Sequence, residues 1–181
     1  MRVLGLDPGS RRTGFGVVER EASRLRAVAF GVASAPARLP LAERLHAIVR
    51  RVDEVLDAWT PDAVAVEEAF YHESVRSTLV LGHVRGALLV AAVARGLPVA
   101  EYTPRAVKLS VTGTGAASKQ QVDFMVRRLL GLRESLPVDA ADALGVALCH
   151  INRSRRTAPA RAATAAAQRL EALLQRRVRT S

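Results

Sequence analysis

At 181 residues the chain is long enough for one domain with a proper core and too short for two of ordinary size. Hydrophobic residues at 49% and charged residues at 24% are the balance of a globular protein, which excludes disordered and fibrous classes. The net charge of +10 points to an anionic partner, yet residues 154–181 carry seven Arg against one Glu, or +6, leaving 20 basic less 16 acidic, or +4, for residues 1–153.

The domain is therefore expected over 1–153, with 154–181 as a basic Ala/Arg-rich tail, and the argument for nucleic acid must rest on a site. No apolar run approaches the roughly 20 residues of a membrane span and no leader opens the chain, so the cytoplasm is the expected compartment. Cys149 stands alone, which excludes an internal disulfide or a Cys-based zinc site and predicts a small buried hydrophobe.

In chain order, Val3–Asp7 is a short apolar run broken by Pro8-Gly9-Ser10, and Thr13–Glu19 follows as a second β-rich stretch, the layout of a hairpin. Leu25–Ser34 reads as a third strand. Leu41, Leu45, Ile48, Val49, Val52, Val55, Leu56 and Trp59 then recur at helical spacing and predict a helix that Thr60-Pro61-Asp62 ends. Ala63–Glu67 is a compact run like a strand buried on both faces, and Thr78–Ala94 an almost wholly apolar helix stopped by Gly96 and Pro98. A short strand follows at Val99–Tyr102. Ser118 with Gln121 three residues on has the spacing of a capping box, opening a helix with its apolar stripe on Val122, Met125, Val126, Leu129 and Leu130. A last helix is expected from Pro137 to about Asn152. Beyond Arg153, Leu170, Leu173, Leu174 and Val178 suggest a marginal amphipathic helix. The order predicts an α/β fold, a ribonuclease H-like mixed five-stranded sheet with helices on both faces.

Four acidic residues stand beside apolar sequence, where a carboxylate is costly to bury unless something compensates it. Asp7 ends the first strand and Glu67 the fourth, and the intervening helix is the crossover that would make these strands parallel neighbours. Both carboxylates would then emerge at the carboxyl edge of the sheet, where open α/β sheets place their chemistry. Asp139 and Asp142, three apart at the start of the last helix, share one face. Singly, each has an ordinary structural reading: a turn residue, a strand-end charge, or two acids at the positive end of a helix dipole. Together they make a cage of oxygen ligands for divalent ions, the apparatus of two-metal phosphodiester cleavage.

Leu4-Gly-Leu-Asp-Pro-Gly-Ser-Arg-Arg-Thr-Gly-Phe-Gly-Val17, Pro61-Asp-Ala-Val-Ala-Val-Glu-Glu-Ala-Phe70, Leu81-Gly-His-Val-Arg-Gly86 and Asp139-Ala-Ala-Asp-Ala-Leu144 resemble, in order and spacing, the signature blocks of the RuvC family of crossover-junction endodeoxyribonucleases. The resemblance implies a homodimer that resolves four-way DNA (Holliday) junctions by paired symmetric nicks, in recombination and repair, alongside a branch-migration helicase complex. It implies Mg²⁺, two ions per subunit with Mn²⁺ as a possible substitute, held by Asp7, Glu67, Asp139 and Asp142 as catalytic ligands. Lys108, Lys119, Phe70 and Arg76 fall on its DNA-contacting positions. Lys119 has independent support, since it opens a helix whose free N–H groups favour an anion. Glu68 would point to the opposite face of its strand and is not carried over. The loop after Phe70 departs from the family pattern, with Glu73 and Ser74 where Lys and Asn are usual, although Arg76 keeps a basic group nearby. In the family the apolar helix with Gly82 and Gly86 builds the dimer interface; composition alone favours a central core helix within one subunit. Three rivals stand beside this reading. An actin-like phosphotransferase would need a second jaw that this length does not supply, while an RNA-trimming ribonuclease H-like nuclease and a non-catalytic junction-binding protein are the alternatives an assay separates.

Overall fold

In the computed structural model the described residues are 1–68 and 74–154. Met1–Ile151 forms one compact unit. The predicted Phe70 contact, Glu73 and the tail helix lie outside the described residues.

Five strands form one sheet: β1 (Arg2–Asp7), β2 (Arg12–Glu21), β3 (Arg24–Ser34), β4 (Ala63–Glu67) and β5 (Val99–Tyr102), in the spatial order β3-β2-β1-β4-β5. The first three pair antiparallel through hairpins, while β1–β4 and β4–β5 are parallel, as a helical crossover requires. Alternation along β1 divides the core. Leu4 and Leu6 join Val64 and Val66 beneath α1 (Leu41–Trp59) and α2 (Val75–Val93). Val3 and Ala65 face the other way, against α3 (Pro104–Thr112), α4 (Lys119–Leu130) and α5, which covers 138–154. Helices thus lie on both faces of a mixed five-stranded sheet, as expected. Cys149 is buried, also as expected.

Two elements differ from the sequence reading. Helix α3 was not expected. Thr103 caps it by accepting from the Ala106 N–H, Pro104 stands in its first turn and Gly113 ends it at φ 83°, so its punctuation is regular, but the β-branched residues inside it have no helical bias. Helix α2 begins three residues earlier than expected, with Ser74 as its cap. Against the expectation that no apolar run approaches a membrane span, it is also long and apolar enough to cross one by length and composition. The physical reason is that it has two apolar faces. Leu81, Val84, Leu88, Ala91 and Ala92 are buried, whereas Val75, Leu79, Val90 and Val93 are exposed. The preference for a helix wrapped wholly within one subunit is therefore corrected.

What seats α5 is a lane of glycine. Gly5 and Gly16 are cross-strand partners on β1 and β2, and Gly14 pairs with Asp7. A Cβ at Gly5 would fall on the carbonyl oxygen of Ala143, one at Gly14 on that of Asp139, and one at Gly16 on the side chain of Leu144. The helix lies directly on bare backbone, and that close approach carries its first turn over the end of β1.

Candidate active site

The register of β1 on β4 runs from Val3 opposite Ala63 to Leu6 opposite Val66, and one further step sets Asp7 beside Glu67. Both side chains fall on the face covered by α3, α4 and α5. Asp139 and Asp142 reach the same place from the first turns of α5. The four carboxylates are close enough to act on one another: burial first, then Glu67, Asp142 and Asp139, push the Asp7 carboxyl up to about 8. Burial likewise raises Glu67, although the hydrogen bond that protonated Asp7 donates to it, and the charges of Lys119 and Lys108, work the other way.

Lys108 lies on α3 and Lys119 opens α4. With Glu67, Asp142, Pro104, Val107 and Val122 they line a cleft of about 210 Å³. Lys119 Nζ pairs with Asp142 Oδ2 at 2.8 Å, which raises the lysine's pKa. A second pair was not anticipated: Arg12, the first residue of β2, donates from Nε to Asp139 Oδ2 at 2.8 Å. No local signal marks it, because its partner lies 127 positions away. Arg76 sits in the exposed first turn of α2 and is not among the residues lining the cleft. Arg44 on α1 donates to the Ser10 carbonyl at 3.1 Å, tying down the turn that follows Asp7.

The donor chemistry suits a hard divalent cation, since four carboxylates from three elements meet at one edge and the charge of Asp7 is suppressed for want of a counter-charge. The side chains do not yet form a closed cage. Among the described residues no three His, Cys, Asp or Glu side chains stand at ligating distance of a common point, and Asp139 and Asp142 are turned to Arg12 and Lys119.

A ribonuclease H-like sheet with acidic residues at the carboxyl ends of its first and fourth strands defines the class, and comparison with known proteins narrows it. The profile described as crossover junction endodeoxyribonuclease RuvC matches residues 3–150. The RuvC of Syntrophomonas wolfei is 47% identical over 156 residues, 86% of this chain and 91% of its own, and that of Halorhodospira halophila 48% identical over 168 residues, 93% and 99%. Among solved structures, Thermus thermophilus RuvC in complex with Holliday junction substrate superposes with a TM-score of 0.82 at 40% identity, covering 86% of this chain and 96% of that one. The yeast mitochondrial resolvase Ydc2, at 16% identity and a TM-score of 0.60, shares the fold. The chain belongs to the RuvC family of crossover junction endodeoxyribonucleases. It is a nuclease of a family that is metal-dependent in general.

Proposed function

We propose that the protein resolves four-way DNA junctions by paired symmetric nicks, with Asp7, Glu67, Asp139 and Asp142 as the metal ligands. The observation that carries this reading is the convergence of the four carboxylates, with the Asp7 carboxyl pushed up to about 8 by burial and by its neighbours. Mg²⁺, two ions per subunit with Mn²⁺ as substitute, would supply an activated water and stabilisation of the leaving oxygen. The chain's own residues set the stage for that chemistry. Asp7 and Glu67 are fixed by the sheet, so their position is the reference to which α5 brings Asp139 and Asp142. Lys119 and Lys108 line the cleft with positive charge, which draws in a phosphodiester and holds it against the repulsion of the carboxylates. Phe70, in the segment linking β4 to α2, and Arg76, in the first turn of α2, are proposed to contact the junction's bases and backbone.

Two symmetric nicks require two sites related by a two-fold axis, hence a C2 homodimer. The exposed apolar face of α2 is the proposed contact. Val75, Leu79, Gly82, Gly86, Val90 and Val93 recur at steps of three and four, and among the described residues nothing lies within 4 Å of a Cβ built at either glycine, so a second backbone can approach closely. The division at Arg153, a general DNA-holding role for the tail, action beside a branch-migration helicase and a cytoplasmic location complete the reading.

The test is single-turnover cleavage of a synthetic four-way junction in Mg²⁺ by wild type and Asp7→Asn. The wild type should give paired nicks and the variant should lose several orders of magnitude in rate while still shifting the junction in a gel. Nicking by Asp7→Asn within tenfold of wild type overturns the metal-site assignment. Trimming of RNA with an intact junction, or binding without cutting, overturns the substrate.

A further inference from the structure

Arg12 has no part in the reading above, yet it grips one of the four proposed ligands. Its side chain leaves the mouth of the β1–β2 hairpin and reaches the first turn of α5, where the hydrogen bond to Asp139 is short and charge-assisted. The guanidinium is 59% exposed and Asp139 29%, so the pair lies at the rim of the site and not within it. An oxygen that accepts from a guanidinium is not free to coordinate a hard cation fully. Arg12 and a metal ion therefore compete for Asp139. An exposed guanidinium is also a good fork for a phosphate, so DNA and Asp139 compete for Arg12.

We infer that Arg12 is a displaceable counter-ion: it holds Asp139 in the metal-free protein and gives it up for a backbone phosphate when DNA arrives, so that metal and DNA bind cooperatively. The inference rests on Asp139 being a metal ligand. Linkage makes the effect reciprocal, with DNA strengthening metal binding by the same factor by which metal strengthens DNA binding. Because a partly exposed ion pair is weak, the factor is small, about fivefold.

The experiment measures Ca²⁺ affinity by calorimetry without DNA, and junction affinity by fluorescence anisotropy with and without Ca²⁺. Wild type, Arg12→Gln, Arg12→Lys, Arg11→Gln and Asp139→Asn are compared, each checked for a native circular dichroism spectrum. Arg12→Gln should bind Ca²⁺ about fivefold more tightly, and Ca²⁺ should strengthen its grip on the junction about fivefold less than it does for wild type. Arg12→Lys should keep part of the coupling. Arg11→Gln removes the same charge one residue away and should leave both readouts near wild type. Equal tightening in Arg11→Gln would reduce the effect to the general field and overturn the inference. Unchanged or weaker Ca²⁺ binding in Arg12→Gln overturns it too, the weaker outcome marking Arg12 as a support for Asp139. If Asp139→Asn binds Ca²⁺ as wild type does, the ligand assignment itself fails; if it loses binding while Arg12→Gln gains none, only the inference does.

Discussion

Asp7 shows how one residue carries two opposed demands. The sheet buries it at the end of β1, and burial together with three neighbouring carboxylates makes its charge costly. Its folded pKa of about 8 lies above the model-compound value of 3.8, so between these values the folded protein retains a proton that the unfolded chain has released. Stability without metal then falls as pH rises through that window, opposite to the usual carboxylate. Glu67 is raised by the same burial and adds in the same direction. Glu19, held down by its bonds to Arg26 and Arg2, acts the other way, but it is untouched by changes at Asp7 and cancels from a difference. Asp7→Asn should therefore melt no lower than wild type in EDTA, with a margin that widens from about pH 5 to about pH 8. Thermal melts of both proteins across that range check it. A margin that stays flat, or an Asn variant that melts lower throughout, would mean that the Asp7 carboxylate is structural.

At the scale of elements the decisive feature is how closely α5 lies on the β1–β2 hairpin. Gly14→Ala would drive a methyl into the Asp139 carbonyl and lift the first turn of the helix, moving Asp139 and Asp142 together away from Asp7 and Glu67. Overpacking of this kind costs about 1–3 kcal/mol. Melting should drop accordingly, and junction nicking at a temperature where the variant is fully folded should fall by much more than the folded fraction does. Loss of activity only in step with unfolding would show that the lane merely packs the helix. This part of the site was half legible in sequence. Asp7 and Glu67 could be placed because strand alternation and a crossover fix which face and which edge they occupy. Asp139 and Asp142 could be placed on a shared helix face, but not over β1, because the glycines that admit the helix act across more than a hundred positions. Helix α3 went unseen because Val107, Val111 and Thr112 are β-branched and packing, not propensity, holds them helical. Lys108, expected beside the carboxylates, lines the cleft with Glu67 and Asp142, although the helix bearing it was not expected.

At the scale of the whole molecule α2 stands out, because its stripe of Val75, Leu79, Val90 and Val93 is exposed. Composition could not distinguish a helix buried on all sides from one buried along a single face, since both are apolar all round; the burial pattern does, by leaving Leu79 at 61% and Val90 at 68% exposed. Gly86→Leu separates the two uses of the helix. Among the described residues nothing lies within 4 Å of a Cβ built at Gly86, so helical circular dichroism should be largely retained, whereas a partner backbone would be held off and the protein should become monomeric in light scattering at micromolar concentration. A dimer that survives the change would move the interface elsewhere. The proposed dimer would double the charge presented to DNA, and its parts are unequal, because +6 of each chain's +10 lies in residues 154–181. Junction affinity should consequently fall steeply with salt, and deleting 154–181 should flatten that slope while leaving the single-turnover nicking rate at saturating protein unchanged. A basic tail would gain free energy by counterion release along any duplex, while the carboxylates and lysines of the cleft belong wholly to Met1–Ile151. A truncated protein that saturates the junction but no longer cuts it would show that the tail enters the site, and the division of labour between a holding segment and a cutting domain would be wrong.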